Sequence, residues 1–276
     1  MIHVQSVGFS YGPTLALRDV SFDIASGDIT AIIGPNGSGK STLARLMTGL
    51  LLPATGTVDI DGLVTGRDSD FAIRSTANLV WQSPDNQAIC GVVEDDIAFG
   101  VENLGLSPPD VRARVDDALG TLGLGDMRSA SIHTLTAAQR QTLAIAGIIA
   151  MRPRYIVLDE VTARLDAMAG AAMLDRLVDW SRRTGTALVL ITHIMSEVLK
   201  AKHVIRLERH PSGGGIVKQI GSPTAVFASA IEDDAVESQR PEESSLLTMV
   251  AHLRKLGVLL DRPPESIDDL VDLLCN

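Results

Sequence analysis

A glycine-rich segment that ends in lysine and serine is the part of the sequence with the clearest chemical meaning. It reads GPNGSGKS at positions 34–41, after the apolar run Ile29 to Ile33 and before a helical pattern. This is the setting in which the pattern G-x-x-x-x-G-K-[ST] binds phosphate, because glycines turn backbone N–H groups inward and the helix adds its positive end. The segment therefore predicts a site for MgATP formed by Gly34, Asn36, Gly37, Ser38, Gly39, Lys40, Ser41 and Thr42.

The polar residues at the end of this segment have separate predicted roles. Lys40 is expected to reach the β- and γ-phosphates. The Ser41 hydroxyl is expected to bind Mg²⁺, a hard cation that takes oxygen ligands from protein, phosphate and water. Thr42 is expected to cap the helix and pack beneath the loop.

Two adjacent acids follow the apolar run YIVL at positions 155–158. Ligands of open α/β sheets gather at the carboxyl ends of strands, so Asp159 and Glu160 are expected to face the phosphates. Asp159 suits Mg²⁺, commonly through water, and Glu160 could polarise the water that attacks the γ-phosphate. A helix cap is the alternative for an isolated Asp-Glu pair.

Three further residues end strand-like segments. His193 follows the apolar run 187–191 and is expected near the γ-phosphate, although an isolated loop histidine is more often a surface residue. Gln82 follows the segment 78–81, and its amide can contact both water and Mg²⁺. Tyr11 ends the first strand, where its ring could stack on adenine or form part of the core.

Taken in order with LTAAQ at positions 135–139 and Leu165-Asp166, these motifs resemble the ATPase subunits of ATP-binding cassette (ABC) transporters. The resemblance implies that Glu160, His193 and Gln82 are catalytic and that Ser41, Gln82 and Asp159 hold Mg²⁺. It also implies that Thr136 and Gln139 belong to a signature segment that meets the ATP held by a second subunit.

Other segments are similar to a narrower family, the energy-coupling-factor importers of vitamins and metal ions. They are QSPDNQ at 82–87, VEDDIAFG at 93–100, ENLGL at 102–106 and LRKLG at 253–257. The resemblance implies a second homologous ATPase, preferably in a heterodimer, a transmembrane scaffold, a substrate-binding membrane subunit and a peripheral position on the cytoplasmic face of the membrane. The acids 94–96 could meet arginines of the scaffold or could simply stabilise a helix start.

The signature departs from the family sequence Leu-Ser-Gly-Gly-Gln at its serine and at both glycines. If the family geometry is kept, each alanine methyl is expected to hinder backbone approach and penalise positive φ, a strain of about 1–3 kcal/mol per site. This suggests an asymmetric pair in which the present chain supplies an intact phosphate loop and an impaired signature. The alternative is that the alanine pair is tolerated, or was introduced artificially, and both sites hydrolyse ATP. A non-hydrolysing regulatory subunit and a soluble cassette ATPase acting on ribosomes or DNA are the alternatives.

The elements that must position these residues form an α/β pattern. The alternating segments 2–11 and 20–24 predict an N-terminal antiparallel β subdomain, and the continuous apolar runs predict parallel strands buried on both faces. With the resemblance, this gives an ABC-type P-loop NTPase core over residues 1–222, with an inserted helical subdomain at about 86–150. A small C-terminal helical domain is expected over 223–276, after an acidic linker.

Composition limits the remaining possibilities. The 276-residue chain has a net charge of −10, which disfavours binding to nucleic acid. Its apolar runs are shorter than the roughly 20 residues that a membrane helix needs. No secretory signal is recognised at the start. Cys90 and Cys275 show no metal or redox spacing, and no role is assigned to them.

Overall fold

The computed structural model describes residues 1–82, 87–163 and 165–227. The C-terminal domain predicted over 223–276 lies outside the described residues from position 228 onward, and so does Cys275. The domain boundary at position 222 stays a prediction.

One twisted sheet organises the described chain. Its order is β5-β4-β1-β2-β10-β9-β3-β8-β7-β6. The strands are β1 Ile2–Tyr11, β2 Thr14–Ile24, β3 Ile29–Ile33, β4 Thr55–Ile60, β5 Leu63–Val64, β6 Ala77–Val80, β7 Tyr155–Asp159, β8 Ala187–Ile191, β9 His203–Arg209 and β10 Gly215–Gly221.

Strand direction divides the sheet into two parts. β1, β2, β4 and β5 pair antiparallel, as the alternating pattern predicts. β6, β7, β8, β3 and β9 pair parallel. In the parallel part Asp159 is opposite Ile191 and Val80 is opposite Leu158, so strands β6, β7 and β8 end at the same edge.

Helices cover the sheet and form the inserted region. They are α1 Lys40–Met47, α2 Asp70–Thr76, α3 Val93–Glu102, α4 Pro108–Leu122, α5 Ala137–Met151, α6 Ala167–Thr184 and α7 Met195–Val198. Helices α3, α4 and α5, which lie in the region predicted to be a helical insertion, pack on one another. Ser107 caps α4, and two prolines open its first turn, where their missing N–H groups cost nothing.

The core consists of two apolar clusters on opposite faces of the sheet. Alternate residues of β7 belong to different clusters: Tyr155 and Val157 to one, and Ile156 and Leu158 to the other. This confirms that the continuous apolar runs are parallel strands buried on both faces. Within the described part of the chain, no helix is long and apolar enough to cross a membrane.

Candidate nucleotide site

The phosphate loop connects β3 to α1 and depends on glycine for its path. Gly34, Gly37 and Gly39 have φ values of +148°, +79° and +88°. A Cβ atom on Gly34 would lie 2.4 Å from the carbonyl oxygen of Leu207, and one on Gly39 would lie 2.8 Å from that of Ala16. The loop is therefore fixed by close packing against β9 and β2 as well as by its positive φ angles.

The polar atoms of the loop fit an anion. Lys40 is only 8% exposed, and its ammonium group donates to the carbonyls of Gly34 at 2.7 Å and Pro35 at 3.1 Å. The Ser38 hydroxyl is buried and has no hydrogen-bond partner among the described residues. A buried polar atom without a partner is costly, and a phosphate oxygen would satisfy it. Thr42 is buried behind the loop, and Asn36 is exposed at its tip.

Ser41 and Asp159 bring two oxygen ligands together beside the loop. Asp159 is 8% exposed at the end of β7. Burial raises the pKa of Asp159 above its usual value, a side-chain hydrogen bond with Ser41 lowers it, and the neighbouring Glu160 charge raises it again. A hydroxyl beside a poorly solvated carboxylate suits Mg²⁺, because a bound cation offsets the cost of ionising the acid. These residues fit the predicted cation.

Glu160 is the point at which the predicted catalytic residues meet. Its backbone has a φ of +50°, an unusual value for a residue with a side chain, and its N–H donates to Ile191 at 3.0 Å. Gln82 Nε2 donates to Glu160 Oε2 at 2.8 Å, and His193 Nδ1 lies 3.8 Å from Glu160 Oε1. Strain of this kind, of about 1–3 kcal/mol, is typical of functional sites.

Tyr11 lies at the end of β1 with 44% of its surface exposed. Its ring meets Phe9 edge to face at 4.9 Å, and its hydroxyl accepts a hydrogen bond from Arg45 at 3.3 Å. The ring is thus half-buried at the edge of the core, as the alternative reading of Tyr11 expects. Stacking on adenine stays a prediction.

The signature segment forms the start of α5. Thr136 is the N-cap, its hydroxyl accepts from the Gln139 N–H at 3.2 Å, and the Gln139 side chain accepts from the Thr136 N–H at 2.8 Å. Ala137 and Ala138 occupy the first two helical positions and do not have positive φ. The expected backbone strain is therefore wrong: a capping box gives these alanines ordinary helical geometry.

Two of the three acids at the start of α3 are engaged within the chain. Glu94 forms two 2.7 Å bonds with Arg128, and Asp96 accepts from the N–H groups of Ile89 at 2.7 Å and Cys90 at 2.8 Å. Asp95 remains exposed. Asp95 is therefore the acid whose side chain is most available to a partner, and contact of these acids with a scaffold stays a prediction.

Burial and the nearby acids raise the pKa of the Cys90 thiol. A thiol that resists ionisation is a poor nucleophile and a poor metal ligand.

Several residues that support the site lie outside the motifs. Arg45 contacts Tyr11 and the ring of Trp81, and Gln141 bonds to the Trp81 carbonyl. The Thr162 hydroxyl donates to the buried Glu197 carboxylate, joining the segment after Glu160 to the segment after His193. The spacing of four residues between Ser41 and Arg45 on one helix could have indicated that Arg45 lies near the site. The other contacts join residues far apart in sequence, and no local pattern predicts them.

Comparison with known proteins decides the family. A family model described as ABC transporter matches residues 17–163. The chain belongs to the ABC transporter family. Its fold and its ATPase activity are those that the motifs predict.

Full-length relatives make the resemblance more specific. The energy-coupling factor transporter ATP-binding protein EcfA1 of Symbiobacterium thermophilum is 40% identical, over 100% of this chain and 96% of that relative. The EcfA1 protein of Lacticaseibacillus paracasei is 39% identical, over 99% of this chain and 96% of its own length. The resemblance to ATP-binding proteins of energy-coupling-factor transporters is confirmed.

Solved structures agree with the architecture. CbiO1 from Clostridium perfringens, described as part of the ABC transporter complex cbiONQ, has a TM-score of 0.75 at 30% identity, over 92% of this chain and 98% of that one. The dimeric bacterial ABC transporter cassette MJ0796 has a TM-score of 0.72 at 25% identity, over 81% of this chain and 99% of that one. The predicted ABC-type core is thus confirmed, whereas the roles of individual site residues stay predictions.

Proposed function

We propose that this ABC ATPase binds and hydrolyses MgATP to power an energy-coupling-factor importer of vitamins or metal ions. The observation that carries the proposal is the convergence of Gln82 and His193 on the Glu160 carboxylate, at distances of 2.8 Å and 3.8 Å. The full-length similarity to EcfA1 proteins supports the transporter type.

The chemistry follows from the positions of the residues. The phosphate loop and Lys40 would hold the β- and γ-phosphates, with Mg²⁺ held by Ser41, Asp159 and Gln82. Glu160 would accept the proton of the water that attacks the γ-phosphate, and His193 would contact that phosphate from β8. The work of the protein is positioning and electrostatic stabilisation.

Three partners complete the proposed machine. A second homologous ATPase would place its signature on the ATP held here, and the Thr136–Gln139 segment of this chain would do the same in return. A transmembrane scaffold would dock on the segment after Gln82, and a separate membrane subunit would bind the imported substrate. The chain would then be peripheral on the cytoplasmic face of the membrane.

The proposed scaffold surface has suitable shape and chemistry. A cavity of about 420 Å³ is lined by Ala88, Ile89, Cys90, Gly91, Ile132, His133 and Arg140. Ile89 is 65% exposed there and offers an apolar contact to a partner. Asp95 offers an exposed acid nearby in the chain for a basic group of the partner.

Reversing the charge at Asp95 tests this surface. Asp95→Lys should release the scaffold on a pull-down of the complex while ATP binding persists, because the change is remote from the phosphate loop in sequence. Glu102→Lys on the same helix is the matched control. Retained assembly of the Asp95 variant would contradict the proposed contact.

A heterodimer with unequal sites is the favoured arrangement. Backbone strain is not the reason for the inequality, because both alanines have helical geometry. The remaining reason is the two methyl groups of Ala137 and Ala138, which stand where the family has glycine. Methyls at a helix start hinder the close approach of a phosphate group to its N–H groups. The site that uses this signature is therefore proposed to be the slower one.

Separate substitution of the two catalytic glutamates tests hydrolysis and asymmetry together. In the assembled transporter Glu160→Gln should lower ATP turnover by about 10²–10⁴-fold, the contribution of a general base, without abolishing ATP binding. The equivalent change in the partner should cost less. Equal losses would argue against asymmetry, and Glu102→Gln controls for the loss of an exposed acid.

The alternative functions predict different results. A non-hydrolysing regulatory subunit would leave turnover unchanged in the Glu160→Gln complex. A soluble ATPase acting on ribosomes or DNA would not co-fractionate with membranes or co-purify with membrane subunits. Mass spectrometry of the purified complex would identify those subunits and so the substrate class.

A further inference from the structure

We propose that Arg45 is a positioning residue that links the adenine end of the nucleotide site to the catalytic Gln82 through Trp81. The inference rests on ATP occupying the site as described above. It assigns a role to a residue that none of the sequence motifs requires.

Arg45 lies on α1 four residues after Ser41, so both side chains are on the same face of the helix. Its guanidinium carbon is 5.2 Å from the centroid of the Trp81 ring. The same guanidinium donates through Nη1 to the Tyr11 hydroxyl at 3.3 Å. One side chain therefore contacts both the predicted adenine-stacking residue and the residue before Gln82.

Trp81 is held at its backbone as well as at its ring. Its N–H donates to the Gln87 side chain at 2.9 Å, and its carbonyl accepts from Gln141 of α5 at 3.4 Å. Gln141 is 1% exposed, so this contact is part of the core. The Trp81 side chain also packs against one of the two core clusters, and Arg45 lies over its ring.

The next residue carries this constraint to the catalytic carboxylate. Gln82 follows Trp81 directly, and its amide donates to Glu160 at 2.8 Å. A displacement of the Trp81 backbone would therefore move the start of the Gln82 side chain. The path runs from Tyr11 through Arg45, Trp81 and Gln82 to Glu160, and each contact in it is direct.

The chemistry of arginine suits this position. A planar guanidinium can stack on an indole and donate to a phenol at the same time, whereas the compact ammonium of lysine cannot do both.

The test uses the full chain and the fluorescence of Trp81. Trp180, the other tryptophan, is 1% exposed in the core, and Trp81→Phe provides its background signal. Binding of ATP and Mg²⁺ should change Trp81 emission in the unmodified chain. Arg45→Met should abolish most of this change while the affinity for a fluorescent ATP analogue alters by less than about threefold.

Kinetics in the assembled transporter separate positioning from simple stability. Arg45→Met should lower kcat by about three- to thirtyfold, with KM for ATP nearly unchanged, since a stacked cation contributes an effect of this size. Arg45→Lys keeps the positive charge but lacks the planar guanidinium that stacks on Trp81, so its kcat should be close to that of Arg45→Met. Arg74→Met, which removes an exposed arginine from α2, is the matched control.

The outcomes distinguish this inference from the function on which it rests. An unmodified chain that binds no ATP analogue would overturn the proposed function. If Arg45→Met binds the ATP analogue normally and shows the same ATP-induced change in Trp81 emission and the same kcat as the unmodified chain, only the role of Arg45 is overturned. An Arg45→Lys variant with the emission change and the kcat of the unmodified chain would also overturn the role of Arg45, because stacking on Trp81 would then be unnecessary. If Arg45→Met does not fold, Arg45→Lys supplies the same comparison.

Discussion

Two residues of the nucleotide site have features that favour binding and catalysis at a cost in folding stability. Asp159 is buried beside another acid, and Glu160 adopts a strained backbone conformation. Neither feature stabilises the empty protein. Both hold an oxygen atom where a cation or a water molecule would need it.

Asp159→Asn should separate these two effects. Burial raises the pKa of Asp159, so its contribution to stability is present below its unfolded pKa and is lost as pH rises through the raised folded pKa. At neutral pH the asparagine variant should therefore be more stable, by about 0.5–2 kcal/mol, in urea denaturation without nucleotide. Its ATP turnover should fall by about 10²–10³-fold, as expected for lost electrostatic stabilisation.

The stability gain of Asp159→Asn should shrink towards acid pH, because protonated aspartic acid is neutral like asparagine. Asp70→Asn removes an exposed acid on α2 and should show neither effect. A less stable Asp159→Asn chain at neutral pH would contradict the electrostatic account.

Gly34 and Gly62 offer a matched comparison of two glycines with positive φ. A Cβ on Gly34 would meet the Leu207 carbonyl oxygen at 2.4 Å, whereas one on Gly62 would meet nothing within 4 Å. Both alanine variants should lose about 1–3 kcal/mol from the φ angle alone. Gly34→Ala should lose a further 1–3 kcal/mol, roughly the cost of overpacking, and should also lose ATP binding. Equal denaturation midpoints would contradict the steric argument.

At the scale of elements, caps and ion pairs set the positions of whole helices. The Thr136–Gln139 capping box fixes the start of α5, which carries the signature. Arg128 joins two other helices of the insertion by pairing with Glu94 on α3 and Asp116 on α4. The hydrogen bond from Arg128 lowers the pKa of Glu94 against the effect of burial, so this pairing persists at neutral pH.

Arg128→Met should loosen the helical insertion without weakening ATP binding. Amide hydrogen exchange should accelerate at the start of α3 and along α4, because both helices lose an ionic contact to the same side chain. The stability that Glu94 contributes is present above its unfolded pKa and is lost as pH falls through its lowered folded pKa. The difference in exchange rate between the variant and the unmodified chain should therefore narrow at acid pH.

Arg182→Met removes an arginine that pairs within α6 at 3.7 Å and serves as the control. Unchanged exchange in α3 and α4 of the Arg128 variant would show that apolar packing alone holds them.

At the scale of the whole molecule, Asp61 ties the antiparallel part of the sheet to the parallel part. It lies in the turn between β4 and β5, accepts from the Tyr155 hydroxyl at 2.9 Å and pairs with Arg154 at 3.1 Å. Burial acts to raise the pKa of Asp61, but bonds from the Met1 amino group and Tyr155 and the Arg154 charge lower it below its usual value.

Asp61→Asn should reduce the free energy of unfolding by about 1.5–3 kcal/mol at neutral pH, the range for hydrogen bonds to charged groups. The lowered pKa means that this stability is present above the unfolded pKa and is lost as pH falls through the folded pKa. The two chains should therefore converge in urea denaturation at acid pH. Asp70→Asn, an exposed acid on α2, is the control, and a pH-independent difference would contradict the ionic account.

The sequence by itself determined the local chemistry and its order along the chain. The phosphate loop needs only a contiguous run of glycines with lysine and serine, and the strands around it follow from continuous apolar runs, so both were predictable. The confirmed ABC-type core shows that seven short motifs in order are sufficient to identify the family.

Only the tertiary structure decided how distant residues meet. The contacts of Arg45 with Trp81, Arg128 with Glu94 and Gln82 with Glu160 join segments far apart in sequence, and no local pattern encodes such pairs. The signature shows the same limit: glycine-to-alanine changes indicated strain, but the capping box places both alanines in a helix, where alanine is favoured. Local sequence sets which groups are present, whereas packing sets which of them touch.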